Sequence, residues 1–388
     1  MLIKRLTLKK ILSFKETTVE LQPLNVLIGP NAVGKSNLIE AISLLQAAPT
    51  GIEGQILRGG GVRQWLWLGD RVPSPIGTLE CVLELPSVRE FGPLVYRLQF
   101  SEEARGFLIL EEYLAAKNSI AEVYVERNSG HVGIGPGGLE LARATGRLVE
   151  VPARESVFAR FKNPADPTPV TKVGNHFQQI KIFREFRTGL ASQVRHGVST
   201  NAPKDSLSES TDNLALVLHQ LDFLGTLDRV NEYLKRFCDR FEKVKVDVGE
   251  GLARTFLRET GLSEMLSGIR MSDGTLKFLC LLAVLFHPKP PPLVCIEEPE
   301  LGLHPDALRL VSEVLVEASE RTQLIITTHS EALVDALTDR PESVLVCERD
   351  FDNGTQFKRY SRDELDEWLE HYTLGELWRK GEIGGGRW

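Results

Sequence analysis

Eight residues near the start of the chain, Gly29-Pro30-Asn31-Ala32-Val33-Gly34-Lys35-Ser36, bring two glycines, a lysine and a hydroxyl to the spacing G-x-x-x-x-G-K-[ST]. Gly29 and Gly34 let the backbone curl so that successive N–H groups face an anion. Lys35 supplies a point charge for the β- and γ-phosphates of a nucleotide. The Ser36 hydroxyl is a hard oxygen ligand for Mg²⁺. Asn37 carries the set into the first helical turn, whose N-terminus adds positive potential. Residues 29–37 thus read as a site for the phosphates of ATP.

A second set lies far downstream. The apolar run Leu293-Val294-Cys295-Ile296 ends in Glu297-Glu298-Pro299-Glu300. Glu297 is placed to hold Mg²⁺ through water, and Glu298 to polarise an attacking water as general base. Adjacent acids at a strand end also describe a solvated strand–loop junction, and it is the upstream lysine loop that favours chemistry. His329, in Thr327-Thr328-His329-Ser330, is placed to contact the γ-phosphate. With Lys35 and Glu298 it completes the candidate catalytic residues. A loop histidine with ordinary partners is the plain alternative. Finally, Arg270-Met271-Ser272-Asp273-Gly274-Thr275 opens a long helix. Ser272, Gly274 and that helix N-terminus make a second phosphate-binding surface, and Ser272 suits a simple N-cap equally well.

These residues need particular elements to hold them. Residues 2–8 alternate as a half-buried strand does, and a second strand runs to Leu21. Leu24–Ile28 is a short apolar run that stops at Gly29, the pattern of a buried parallel strand. Lys35 to Gln46 then has helical apolar spacing, so the loop sits between strand and helix. Alternating runs at 78–85, 95–100, 107–113 and 121–127 predict an antiparallel meander. Helical spacing returns at 211–241, without a heptad array long enough for a coiled-coil arm. From Met271 the pattern is helix to Phe286, strand at 293–296, helix at 306–318, strand at 324–328, helix at 330–337 and strand at 343–347. This is the alternation of a parallel sheet flanked by helices.

Bulk composition narrows the class. The chain has 388 residues, 42% hydrophobic and 26% charged, as globular proteins do. A net charge of −7 argues against a protein that coats nucleic acid. Lys181, Arg184, Arg187, Arg195 and His196 form a local basic stretch that could touch DNA, although a solvated face is the commoner outcome. The five cysteines are scattered without CxxC spacing, which predicts buried reduced thiols rather than a zinc site or a disulfide framework. No run approaches the roughly 18 apolar residues of a membrane span, and a cytoplasmic, non-membrane protein is expected.

In this order the motifs resemble the ABC ATPase family, and more narrowly its RecF/SMC/OLD-like group of AAA family ATPases. The carriers are the loop at 29–36, the Ser-x-Gly helix start at 272–274, Glu-Glu-Pro-Glu-Leu-Gly-Leu-His-Pro at 297–305 and Thr-Thr-His-Ser at 327–330. The resemblance covers residues 1–50 and about 265–350. It implies a head-to-tail homodimer that sandwiches two ATP molecules, the loop of one subunit facing Ser272 and Gly274 of the other. It implies residues 301–305 as a D-loop at that interface, Ser13 and Phe14 beside the base or ribose, and Gln64 as candidate for the glutamine that reaches the metal. The chain departs from the family pattern in its signature, Met-Ser-Asp-Gly-Thr, and in Glu297, where Asp is usual. The short stretch after residue 347 leaves no room for a Toprim domain of ordinary size. Glu348, Asp350 and Asp352 could mimic a Toprim site, but Asn353-Gly354 beside them suits a turn.

The expected fold class is α/β: a P-loop NTPase head of ABC type with a β-rich subdomain and an inserted helical lobe. The expected division is residues 1–160 with the phosphate loop and meander, 161–262 as a mainly helical insert, and 263–388 with the signature, the acid pair and His329. The expected activity is a Mg-dependent ATPase switch in DNA repair or defence against foreign DNA, acting through a separate nuclease or Toprim-like effector. Three other readings fit less well. A small-molecule kinase leaves the Ser-x-Gly helix and Glu-Glu-Pro-Glu unexplained. The nucleotide-binding subunit of a transport complex would carry a conventional signature and a shorter gap between motifs. A non-hydrolysing nucleotide-sensing module is opposed by Glu298.

Overall fold

The first twenty residues alternate, and they form a hairpin. In the computed structural model, which describes residues 2–69, 75–104, 106–117, 122–128, 131–135, 137–138, 142, 148–350 and 352–385, β1 (Ile3–Ile11) pairs antiparallel with β2 (Phe14–Glu20), Leu6 opposite Val19. Phe14, Thr17 and Val19 are buried on β2, while Glu16, Thr18 and Glu20 are exposed. β3 (Leu24–Ile28) is buried at all five positions, as its unbroken apolar run requires.

The chain packs as two compact units, each built from separated segments. The first comprises Met1–Lys181, Glu342–Tyr360 and Gly381–Trp388. Its antiparallel meander is β4 (Gly77–Leu83), β5 (Leu94–Glu103), β6 (Gly106–Ala116), β7 (Val123–Asn128), β8 (His131–Ile134) and β9 (Val149–Glu150), joined in that order to β1. On the far side of β2 lies a late hairpin, Val344–Asp350 with Gly354–Lys358. Its first strand runs parallel to β3, with Val344 opposite Val26 and Val346 opposite Ile28. The phosphate loop therefore leaves β3 beside a strand that arrives from more than 300 residues later.

The second unit comprises Ile182–Pro341 and Ser361–Lys380. It begins with the end of β10 (Lys181–Phe183). Residues 161–262, expected as mainly helical, do carry the helices Val170–Gln178, Leu214–Phe223 and Leu227–Phe237. They also carry β11 (Val198–Ser199), β12 (Phe241–Gly249) and β13 (Leu252–Glu259), with β14 (Leu266–Ser267) pairing onto β13. The period of two in Lys243-Val244-Lys245-Val246-Asp247-Val248 is the cause. The two-residue turn Glu250-Gly251 has positive φ at both positions, which suits the right-handed twist of a hairpin. Ala253 of β13 packs with Val198, Ala215 and Leu216 in a small core of this unit.

The rest of the second unit is α/β. The helix Asp273–Leu285 is buried along most of its length. β15 (Leu293–Glu297) runs parallel to β16 (Gln323–Thr327) in a register that sets Glu297 opposite Thr327. The helices Leu308–Ser319 and Glu331–Asp335 flank them in sequence. Cys81, Cys280, Cys295 and Cys347 are buried free thiols, and Cys238 is half-buried. Among the described residues no helix is long and apolar enough to cross a membrane.

Candidate active site

In the first unit the loop after β3 is shaped by backbone that only small residues adopt. Gly29 has φ +144°, and a Cβ there would fall 2.5 Å from the carbonyl oxygen of Cys347. Gly34 has φ +112°, and a Cβ would fall 2.2 Å from Thr355 Oγ1. Ala32 also has positive φ, 61°. Gly34 caps the helix Lys35–Ala47 without a side-chain hydrogen bond. Backbone N–H groups converge at that helix N-terminus, whose positive end favours an anion.

The lysine is already gathered into the loop. Lys35 is buried, and its Nζ donates to the carbonyls of Gly29 at 2.8 Å and Pro30 at 2.9 Å. Thr355, a residue that sequence reading passed over, braces the loop from behind. Its hydroxyl donates to the Val33 carbonyl at 2.6 Å and lies 2.8 Å from the Ser13 hydroxyl. Only the turn Asn353-Gly354 hinted at this hairpin, and nothing in sequence tied it to residue 33. Ser36 is exposed at the start of the helix.

A cavity of about 1310 Å³ opens beside the loop, lined by Ser13, Pro30, Asn31, Ala32, Val33, Asn37 and Gln64, together with Trp67 and Arg349. That volume accepts a nucleotide. Trp67 is buried, and its indole N–H has no partner among the described residues. Phe14 corrects one expectation. It is fully buried and stacks on Phe357 with ring centroids 5.8 Å apart. It does not line the cavity that Ser13 lines. Gln64 sits exposed on the short helix Val62–Trp65 at this cavity wall. Asp350 is a turn residue. Its carboxylate accepts from the backbone of Asp352 and Asn353 and from the Asn353 amide.

In the second unit the parallel register brings Glu297, Glu298, Thr328 and His329 to one end of β15 and β16. Glu298 has φ +47°, costly for a side chain with a Cβ. Its N–H donates to the Thr327 carbonyl at 2.9 Å, which ties the acid to the neighbouring strand. His329 Nε2 lies 3.8 Å from Glu298 Oε1. Glu300, quoted above only as part of a motif, holds the histidine segment. Its Oε1 accepts from Thr328 Oγ1 at 2.6 Å and from the His329 N–H at 2.9 Å. Its Oε2 is buried without a partner among the described residues. Burial raises the Glu300 carboxyl above the usual carboxylate range, against the opposing pull of those two hydrogen bonds. Glu297 meets Arg184 Nη1 at 3.1 Å.

The Ser-x-Gly segment lies in the same unit. Ser272 is the N-cap of the helix Asp273–Leu285, its Oγ accepting from the Thr275 N–H at 3.0 Å, and it is exposed. Gly274 lets the loop at 301–303 approach, since a Cβ there would meet the Gly302 carbonyl at 3.0 Å. Lys277 Nζ donates to the Leu301 carbonyl at 3.0 Å and fastens the same contact. Arg195 departs from the basic-face expectation. Its side chain is buried and donates to the carbonyls of Thr188, Gly268, Ile269 and Met271 and to the Asp273 carboxylate at 2.6 Å. The hydrogen bond from Arg195 holds the Asp273 carboxyl below its usual range. With Arg184 paired and Arg195 internal, the basic stretch is not a continuous exposed cationic face.

The donors fit the groups that the motifs imply. A Gly-rich backbone, a helix N-terminus and a buried lysine suit polyphosphate. The Ser36 hydroxyl in the first unit and the Glu297 carboxylate in the second are each a hard oxygen donor of the kind Mg²⁺ takes.

Comparison with known proteins agrees with this assembly. A family model described as "AAA domain, putative AbiEii toxin, Type IV TA system" matches residues 24–76 and 179–335, more than half of the chain. Among solved structures, an SMC head bound to the C-terminal winged-helix domain of ScpA is similar with TM-score 0.58 and 12% identity, over 93% of this chain and 99% of that one. An SMC head with an extended coiled coil, bound to the C-terminal domain of ScpA and derived from Pyrococcus furiosus, matches at TM-score 0.56 and 13% identity, over 95% and 98%. One with a coiled coil and joint from Pyrococcus yayanosii matches at 0.52 and 10%, over 95% and 99%. At these identities the likeness is one of fold. The chain belongs to this AAA-domain family, and its fold is that of the SMC head domains.

Proposed function

We propose that the chain binds ATP with Mg²⁺, hydrolyses it, and uses the bound state to hold a head-to-tail homodimer. The observation that carries the reading is the grouping of Glu298, Glu297 and His329 at one end of two parallel strands, with His329 Nε2 3.8 Å from Glu298 Oε1. An acid fixed by its own backbone hydrogen bond, next to a second acid and a histidine, suits proton transfer from water.

Each residue then has one task. The loop amides and Lys35 bind the phosphates, Lys35 exchanging its two carbonyl partners for phosphate oxygens. Mg²⁺, when bound, offsets phosphate charge, and Ser36 and Glu297 are the residues that would hold it. Glu298 accepts a proton from the attacking water. His329, held by Glu300, donates toward the γ-phosphate end of the substrate. The exposed Ser272 and the N-terminus of its helix are presented to the nucleotide of a second copy.

For the output we propose defence against foreign DNA, or repair, through a separate effector such as a nuclease or Toprim-like protein, in the cytoplasm. Two things support this. The family description names a toxin of a type IV toxin–antitoxin system. Two of the similar SMC heads are bound to a domain of a second protein, ScpA. The proposal includes DNA itself as a client.

The test is ATP turnover and solution mass measured together, for wild type and Glu298→Gln, with and without Mg-ATP and DNA. The variant is expected to bind ATP, to lose turnover by about 100-fold or more, as loss of a general base does, and to accumulate as a dimer. Undiminished turnover with a mass indifferent to nucleotide would sink the proposal.

A further inference from the structure

The Glu297 carboxylate is mostly buried, its side chain 16% exposed, and it is followed at once by a second acid. A carboxylate in that setting needs a nearby cation. Arg184 provides one. It leaves β10 one residue after Phe183, β10 lies beside β15 in the sheet, and Nη1 reaches Glu297 Oε1 at 3.1 Å. The arginine side chain is 47% exposed. It contrasts with Arg195, whose guanidinium is buried on five acceptors. One arginine is built into the structure, and the other lies about half-exposed at a surface on a long stem.

The proposed function places a divalent cation on that same carboxylate. A guanidinium and a metal compete for it, because each is stabilised by the same negative charge and each repels the other. We infer that Arg184 is a resident cation at the metal carboxylate: it neutralises Glu297 until Mg²⁺ arrives, and metal loading displaces it. The inference rests on the reading of Glu297 as a metal-holding residue and adds the group that sets the metal requirement. The pair is partly exposed, so displacing it costs little, and its effect on metal affinity is correspondingly a few-fold rather than absolute.

The experiment measures binding of Mn²⁺ to the full chain with saturating non-hydrolysable ATP analogue, from the electron paramagnetic resonance signal of free Mn²⁺. Five proteins are compared: wild type, Arg184→Gln, Arg184→Lys, Glu297→Gln and the double variant Arg184→Gln with Glu297→Gln. Arg184→Gln is expected to tighten Mn²⁺ binding about three- to tenfold, the range set by a partly exposed ion pair and one unit of nearby charge. A merely structural arginine would weaken it. Arg184→Lys keeps the charge and is expected to stay within about twofold of wild type. In the Glu297→Gln background, removing Arg184 is expected to change nothing further, which is the coupling that a shared carboxylate demands. Unchanged or weaker Mn²⁺ binding by Arg184→Gln, where Glu297→Gln does weaken it, overturns the role of Arg184 and leaves the metal reading standing. Mn²⁺ binding indifferent to Glu297→Gln overturns both.

Discussion

Glu298 and Glu300 are two residues apart and differ in environment. Glu298 is half-exposed at positive φ beside His329, while Glu300 is turned inward to hold Thr328 and the His329 N–H. The raised pKa of Glu300 has a signed consequence. A carboxyl that binds protons more tightly folded than unfolded gives its full stability below the unfolded value, about 4.3, and loses it as pH rises through the folded value. Glu300→Gln keeps an acceptor and removes the charge. Melting curves from pH 4 to pH 8 are expected to show wild type losing ground to Glu300→Gln as pH rises, by on the order of 1 kcal/mol. A wild-type advantage that grows with pH would refute this. At Gly34, Ala would have to adopt φ +112° with its Cβ 2.2 Å from Thr355 Oγ1. Gly34→Ala is expected to weaken binding of a fluorescent ATP analogue by roughly 10- to 100-fold, the equivalent of a strained backbone position.

At the scale of elements, the helix Asp273–Leu285 begins on a scaffold that belongs to other segments. Arg195 joins residue 188, the turn 268–271 and Asp273 through one guanidinium. Arg195→Met would leave four carbonyls and a carboxylate without that donor, at a cost of about 3–5 kcal/mol. A fall in melting midpoint of more than about 5 °C is expected. Arg195→Lys should recover only part of it, since an ammonium cannot span the fork. Calorimetry of both variants checks this. An unchanged midpoint in Arg195→Met would show that the segment is held by something else.

For the whole molecule, a ligand that binds the folded chain must stabilise it. At about 100 times its dissociation constant, Mg-ATP contributes about 2.7 kcal/mol. A rise of a few degrees in melting midpoint is expected with Mg-ATP, and a larger one in Glu298→Gln, where dimerisation adds. The rise should vanish in Lys35→Ala. Differential scanning fluorimetry with and without Mg²⁺ reads this directly, and an equal rise in Lys35→Ala would place the nucleotide elsewhere.

Much of this was legible in the sequence, because the phosphate loop, the acid pair and the strand–helix alternation are local. Chain direction and side-chain type at short spacing decide where a glycine loop can follow a strand and where an apolar run ends in carboxylates. The strands expected at 293–296 and 324–328, found at Leu293–Glu297 and Gln323–Thr327, and the meander of the first unit were readable for the same reason. Thr355 behind the loop, Arg184 on Glu297, Arg195 under Asp273 and Glu300 on the histidine segment were not. Each depends on contacts between residues distant in sequence: 322 residues separate Thr355 from Val33, and 113 separate Arg184 from Glu297. The stretch containing Arg184 and Arg195 reads as one basic run, yet one side chain rests on an acid at a strand end and the other is a buried strut. Charge is a property of the residue, but whether it faces solvent, a carboxylate or a ring of carbonyls is decided by which segments the fold packs around it.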